Sequence, residues 1–243
     1  MIKGLFRSAS GMLPAIKRQE TIANNVANAN TAGFKKDAVF TKELSRAQRK
    51  LVPVKSDWEQ PMVDEVYTNF EGGSFSRTDN PLDLAIDGDG FFTVQLPDGR
   101  TALTRSGAFS INRDGLMALA DGSTLLAEGG PVEVGNGKLT VTAAGQIEVD
   151  GSAVGQVRPV TTADVGALEK IGASLFAVPE GTELIPVEHA EIRQGYVEES
   201  NVDIVREMID MIVAFREYEA NARAVTTQDQ SLDNLFRRVG GDG

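Results

Sequence analysis

The 243-residue chain contains no cysteine and a single histidine, His189. Disulfide scaffolds, Cys-bearing zinc sites, thiol nucleophiles, Cys–His dyads and a His-rich metal centre are therefore excluded. Aromatic residues make up only 6% of the chain, with one tryptophan, Trp58, so there are few rings for stacking on sugars. No apolar run approaches the eighteen or so residues of a membrane span. Near the start, the uncharged stretch from Ser8 to Ile16 holds Gly11 and Pro14 and then meets Lys17-Arg18, a poor signal peptide. Any exit from the cytoplasm is expected to proceed without a cleavable signal. What survives is carboxylate or hydroxyl chemistry, or no chemistry.

The formal charge is −11, which argues against nucleic-acid or anionic-membrane binding, because phosphate contacts need a basic face. The charge is uneven. Residues 1–50 carry ten Lys/Arg against three acids, a net of +7, whereas residues 194–243 carry five Arg against ten acids, a net of −5. The middle therefore holds −13. A basic head, an acidic centre and an acidic tail point to three segments with different neighbours.

Apolar residues recur at three- and four-residue spacing in Ile2, Leu5, Ala9, Met12, Ile16, Ala23 and Val26, with Gln19 the polar member of the series. This predicts one amphipathic helix of about twenty-five residues, kinked at Pro14 or starting cleanly there. Asn28, Asn30, Thr31 and Gly33 supply the stop. A stricter alternation of four and three runs through Ile204, Met208, Met211, Phe215, Tyr218, Ala222, Val225, Asp229, Leu232, Phe236 and Val239. Ser200 and Asp203 are a candidate capping box at its start, and Gly240-Gly241 ends it. A helix from Ile204 to Val239 would be roughly 50 Å long, and a 3.5-residue seam of that length needs a helical partner.

Between the ends, short apolar or alternating runs (Phe91–Leu96, Ala102–Thr104, Ala108–Ile111, Leu116–Ala120, Lys138–Thr142, Gln146–Val149) are separated by Asp98-Gly99, Asp114-Gly115, Asp121-Gly122, Asn136-Gly137 and Asp150-Gly151. Asp-Gly and Asn-Gly favour tight hairpin turns, so residues 81–197 are expected to form an antiparallel all-β domain. Residues 34–80 read as an extended connector with a possible short helix through Asp37–Leu51. The fold class expected is α+β: long N- and C-terminal helices (residues 1–33 and 198–241) forming a coiled-coil-like unit, with the β domain inserted between them.

Asp87-Gly88-Asp89-Gly90 invites comparison with a calcium loop, but the further acids and closing Glu of an EF-hand are missing and a strand follows, so a turn accounts for these residues. No pair of carboxylates is picked out by spacing for glycosidase chemistry. His189 lies near Glu188 and Glu191 as a surface bystander. Gly72-Gly73 and Gly129-Gly130 match neither a dinucleotide fingerprint nor a phosphate loop, and Trp58 reads as a packing anchor in the connector. No catalytic residue, metal site or cofactor is assigned. Asn24, Asn25, Asn28 and Asn30 cluster at the end of the first helix. Either they cap a fraying end, or their amides bridge to a neighbouring element and set register. Asp229 likewise either faces a wet gap or pairs with a cation from the basic helix.

Ala23-Asn24-Asn25-Val26-Ala27-Asn28-Ala29-Asn30-Thr31-Ala32-Gly33-Phe34-Lys35 resembles the N-terminal signature of bacterial flagellar rod and hook proteins. Gly195-Tyr196-Val197-Glu198-Glu199-Ser200-Asn201-Val202 with the helix that follows is similar to their C-terminal signature. Leu82 to Phe92 and Thr104-Arg105-Ser106-Gly107 resemble their shared β domain. Within that family the short connector is closer to the proximal than to the distal rod members, and the size excludes the hook protein. The resemblance implies an axial basal-body subunit, exported through the flagellar type III apparatus and polymerised helically with copies of itself and other axial proteins. It would transmit torque mechanically, without nucleic acid, membrane insertion or turnover.

The residues expected to carry assembly are Leu5, Met12, Ile16, Asn24, Asn25, Val26, Asn28 and Phe34 on the N-terminal side. On the C-terminal helix they are Ile204, Met208, Met211, Phe215, Tyr218, Val225, Leu232 and Phe236. The alternative from a different class is a soluble ligand- or calcium-binding β module whose terminal helices pair within one chain.

Overall fold

The computed structural model describes residues 2–42, 62–135, 137–172, 174–179 and 181–240. Trp58 and most of the possible short helix lie outside the described residues. The first six residues of that proposed helix, Asp37–Lys42, are instead a strand paired antiparallel with Met62–Thr68. Val39 and Phe40 in an otherwise polar stretch suit an extended, half-exposed ribbon better than a helix.

The chain divides into two compact units. The helical unit comprises residues 1–27, 37–69 and 203–243, and the β unit residues 28–36 and 70–202. Residues 34–80, expected as one connector, are thus shared: 34–36 and 70–80 belong to the β unit, the paired strands to the helical unit.

In the β unit the Asp-Gly turns fall where the composition places them. Gly99, Gly115, Gly122 and Gly151 all have positive φ, the conformation that tight turns demand of glycine. They join Phe92–Gln95 to Thr101–Thr104, Ser110–Ile111 to Met117–Ala118, Met117–Ala118 to Thr124–Ala127, and Gln146–Val149 to Ser152–Gln156. Side chains reinforce the turns: Asp98 Oδ1 accepts from Arg100 N at 3.0 Å, and Asp121 Oδ1 from Ser123 N at 3.0 Å.

The largest sheet has eight strands, in the order Glu169–Lys170, Leu175–Ala177, Thr101–Thr104, Phe92–Gln95, Thr124–Ala127, Met117–Ala118 and Ser110–Ile111, with Gly130–Pro131 beside Thr124–Ala127. A three-stranded sheet (Leu139–Val141, Gln146–Val149, Ser152–Gln156) and several two-stranded ribbons complete the unit. Every paired strand among the described residues is antiparallel to its neighbour.

Inward-facing Leu84, Ile86, Phe92, Val94, Met117, Leu125 and Ile147 form the main core, with Phe92 and Phe109 edge to face at 5.7 Å. A second cluster gathers Phe91, Leu103, Leu168 and Phe176, closed by Phe70, whose ring lies 5.1 Å from Phe176. Burying a phenylalanine side chain contributes about 1.5–3 kcal/mol, so this unit has an apolar core of its own.

In the helical unit, α1 spans Ile2–Ala27 and α2 spans Ile204–Gly240. The assigned helix runs through Pro14 without a break. Helix α2 is 37 residues long, about 55 Å at 1.5 Å per residue. It is capped by Asp203, whose Oδ1 accepts from Val205 N at 3.0 Å and Arg206 N at 3.1 Å. The expected cap, Ser200, instead accepts from Val202 N at 3.3 Å, because the helix begins three residues later than a capping box at Ser200 requires. No described helix is long and apolar enough to cross a membrane.

Candidate functional site

The two helices of the helical unit run antiparallel: Asn25 Nδ2 donates to Glu207 Oε2 at 3.1 Å, Arg18 pairs with Glu217 at 3.1 Å, and a Cβ on Gly11 would lie 3.1 Å from Asn221 Nδ2. These contacts place Gly11, Arg18 and Asn25 of α1 against Asn221, Glu217 and Glu207 of α2, and the helix period extends the two rows through Ala15 and Ile22 and through Met211, Ala214, Tyr218 and Val225. Both rows alternate four and three, as helices packed nearly antiparallel require. They are rich in small and polar residues, so they carry a weak hydrophobic signal. Small residues let the backbones approach, with Ile22, Met211, Tyr218 and Val225 between them, while other large apolar side chains of α2 lie off the row.

The sequence-derived stripes lie partly on this seam and partly off it. On α2, Met211, Tyr218 and Val225 belong to the seam and are half-buried, whereas Ile204, Met208 and Phe215 are exposed. Leu232 is half-buried. With Val205, Ile209 and Ile212, the exposed residues make a second apolar face, more than a quarter turn away from the first at 100° per residue. Ile212 is 55% exposed and Phe215 52%.

On α1 the stripe through Met12 and Ile16 points away from α2: Met12 and Val26 are half-buried, and Ile16 and Leu13 exposed. Leu5 and Phe236 lie within the helices, and their side chains are outside the described residues.

The asparagine cluster divides by role. Asn25 is buried and bridging: besides Glu207, its Nδ2 donates to Asp37 O at 2.8 Å and its Oδ1 accepts from Asp37 N at 2.9 Å. Asn24 is exposed. Asn28 lies beyond α1, where its carbonyl accepts from Thr31 N at 3.0 Å and its Oδ1 from Thr31 Oγ1 at 3.3 Å. Phe34, expected on the assembly helix, is instead fully buried in the β unit, with Lys170 Nζ 4.0 Å above its ring. The chain leaves helical geometry after Ala27, so the last residues of the N-terminal signature pack with the strands.

There the three signatures meet. Lys35 is fully buried, Glu198 is 1% exposed and Arg105 7%. Lys35 Nζ donates to Glu198 Oε1 at 2.5 Å and to Glu71 O at 2.7 Å. Arg105 Nη1 donates to Glu198 Oε2 at 3.3 Å, and Nη2 to Gly88 O at 2.9 Å. Gly73 N also donates to Glu198 Oε1, at 2.9 Å.

The backbone follows the same path: Gly33 N donates to Glu198 O at 2.8 Å and Lys36 N to Asn201 Oδ1 at 2.8 Å. Gly33 has φ +68° and sits so close to Arg105 and Ser106 that a Cβ would fall 2.2 Å from Ser106 N. Burial pulls the Lys35 ammonium below its ordinary value; Glu198 opposes the shift and Arg105 adds to it. Two cations on one carboxylate hold three segments distant in sequence.

The residues considered for chemistry have other occupations. Asp87 pairs with Arg193 across neighbouring strands, and Gly88 and Gly90 take positive φ, so the Asp-Gly repeat is a turn entering the strand Phe92–Gln95. Among the described residues no group of three or more acids or histidines is placed to hold a metal. Sequence reasoning missed the Lys35–Glu198–Arg105 cluster, since charged residues far apart in sequence announce no partnership by spacing.

Comparison with known proteins finds three family models along the chain: flagella basal body rod protein over residues 8–35, the flagellar hook protein FlgE/F/G D1 domain over 85–157, and the flagellar basal body rod FlgEFG protein C-terminal region over 193–238. The chain is similar to the flagellar basal-body rod protein FlgG of Caulobacter vibrioides, 34% identical over 255 residues, covering 95% of this chain and 97% of the relative. To FlgG of Borreliella burgdorferi it is 33% identical over 265 residues, 98% and 100% of the two chains. To the rod protein FlgF of Caulobacter vibrioides it is 30% identical over 243 residues, 99% of each.

Proposed function

The chain belongs to the bacterial flagellar basal-body rod protein family and is a structural subunit of the rod, and on that premise we propose that its helical unit polymerises helically and carries torque from motor to hook. The observation that supports this most directly is the second apolar face of α2. Helix α1 already occupies the row through Glu207, Ala214 and Asn221, yet Ile204, Met208, Ile212 and Phe215 remain exposed. An apolar face of this size costs solubility unless another surface covers it, and neighbouring subunits supply that cover. The assembly face proposed comprises Met12 and Ile16 on α1, with Ile204, Met208, Ile209, Ile212 and Phe215 on α2.

In this reading the subunit stands in the rod with other axial flagellar proteins, reaches it through the flagellar type III apparatus without a cleavable signal, and performs no turnover. A proximal position fits the short connector.

Limited proteolysis of the dilute full-length chain tests the proposal. The helical unit should be cut first while residues 70–202 resist, and protection of the helices should appear on polymerisation. Helices fully resistant in the monomer would count against it. Locating the labelled subunit in an intact basal body decides between proximal and distal positions.

A further inference from the structure

The chain passes between its two units four times, at residues 27/28, 36/37, 69/70 and 202/203. On the β unit these points are gathered by one hydrogen-bonded knot. Asn201 accepts from Lys36 N at 2.8 Å and donates through Nδ2 to Glu71 O at 3.1 Å, and Lys35 Nζ donates to the same carbonyl at 2.7 Å. Asn201 N donates to Phe34 O at 3.4 Å. The remaining passage, at Asn28, enters through the Asn28–Thr31 turn and reaches Gly33, whose N–H donates to Glu198 O at 2.8 Å.

The centre of the knot is electrostatically unbalanced. Lys35 and Arg105 are both buried, and Glu198 is the anion that answers both. Arg105 Nε has no hydrogen-bond partner among the described residues. Two buried cations deprived of their shared anion repel each other in a poorly polarisable setting. Without Glu198 that repulsion works directly against the docking of segment 28–36.

We propose that Lys35, Arg105, Glu198 and Asn201 form a charge-locked clamp that gathers the four passages of the chain on the β unit, so that load entering from the helices reaches the whole β unit and not one connecting strand. The clamp closes only when segments from both ends of the chain are present, because its cations come from residues 35 and 105 and its anion from residue 198. Glu198 acts here as a positioning residue for segment 28–36. The mechanical role rests on the rod reading; the clamp itself does not.

Hydrogen exchange on the full-length chain tests the clamp. In E198Q the amides of Gly33, Lys36, Gly73 and Asn201 should exchange about a hundredfold faster, while those of Phe92–Gln95 and Thr101–Thr104 keep their protection. The deciding variant is the double substitution K35M/E198Q, which removes one of the stranded cations. It should slow exchange at the same amides about tenfold relative to E198Q, even if E198Q loosens the whole unit. Stranded cations require that removing one of them recovers part of the loss, so equal or faster exchange in the double variant overturns the proposal, as does E198Q exchanging like the wild type.

In cells lacking their own copy, E198Q should fail under viscous load before it fails in dilute medium, with K35M/E198Q recovering part of the loss. Rods of E198Q that turn a viscous load like the wild type overturn the mechanical role. A wild-type chain absent from rods speaks against the rod reading and leaves the exchange result to decide the clamp.

Discussion

The two units use the same twenty amino acids to opposite ends. Among the described residues, 24 of the 27 buried hydrophobics lie in the β unit, whereas 12 of the 17 exposed large hydrophobics lie in the helical unit. Charge divides as sharply: the β unit carries twenty acids against ten Lys/Arg, a net of −10, and the helical unit fifteen against fourteen, a net of −1. The acidic character of the protein is thus a property of the β unit, and charge of one sign opposes association. The nearly neutral helical unit exposes apolar surface and lacks the charge that would keep copies apart. On the proposed reading, one unit is finished by folding and the other by association.

The comparison breaks most visibly in the β core. Replacing the fully buried Phe92 by alanine should cost about 3–5 kcal/mol, from lost transfer energy and the cavity left behind. Denaturant unfolding of the full chain measures it; a cost below about 1 kcal/mol would mean that this unit, too, depends on association for its stability. Next comes Gly33→Ala. Gly33 combines φ +68° with backbone 2.2 Å from where a Cβ would stand, so strain and collision together should cost about 1–3 kcal/mol. Its effect should appear in the β unit although residue 33 lies only six residues beyond the N-terminal helix in sequence.

That placement marks the limit of what the sequence told. Turn chemistry located the strands, because Asp-Gly pairs act through local backbone geometry that needs no partner. The long C-terminal helix was legible for the same reason, in its periodicity. The capping residue was displaced from Ser200 to Asp203, since both are good caps and only the helix start distinguishes them. The seam was legible only in part: Met211, Tyr218 and Val225 stand in the apolar series, but Gly11, Ala15, Ala214 and Asn221 attract no notice in a hydrophobicity pattern, yet small size is what lets α1 and α2 approach. The buried charges were hidden altogether, because Lys35, Arg105 and Glu198 are polar by type and buried only by tertiary context.

In the helical unit, Asp203→Ala removes two hydrogen bonds to the first turn of α2 and should cost about 1 kcal/mol. The loss should appear as faster exchange in the first turn of the helix, with the strands unaffected. A smaller effect concerns pH. Burial, with Arg105 adding to it against Glu198, lowers the Lys35 pKa from 10.5. Between the lowered value and 10.5 the unfolded chain holds more protons than the folded one, so stability rises with pH across that window. Below the window the penalty of burying the charge is fully present and constant. Denaturant unfolding at several pH values up to about 10, compared with Lys35→Met, should show the wild type gaining on the variant as pH rises; a constant difference would refute the assignment to Lys35.

The smallest effect on stability is the most informative about function. Phe215 is exposed and lies off the row that faces α1, so Phe215→Lys should change the unfolding free energy of the isolated chain by no more than about 0.5 kcal/mol. Its effect on polymerisation should be severe, since a lysine placed in a covered apolar face is buried without a partner at every repeat of the assembly. Ala214→Lys reverses the pattern: Ala214 is fully buried in the row facing α1, so it should lower the stability of the helical unit in the monomer itself. Sedimentation and circular dichroism on the two variants separate the faces. If Phe215→Lys still polymerises while Ala214→Lys leaves the monomer intact, the inner and outer faces of α2 have been interchanged, and the helical unit is held together by the large side chains rather than by the small ones.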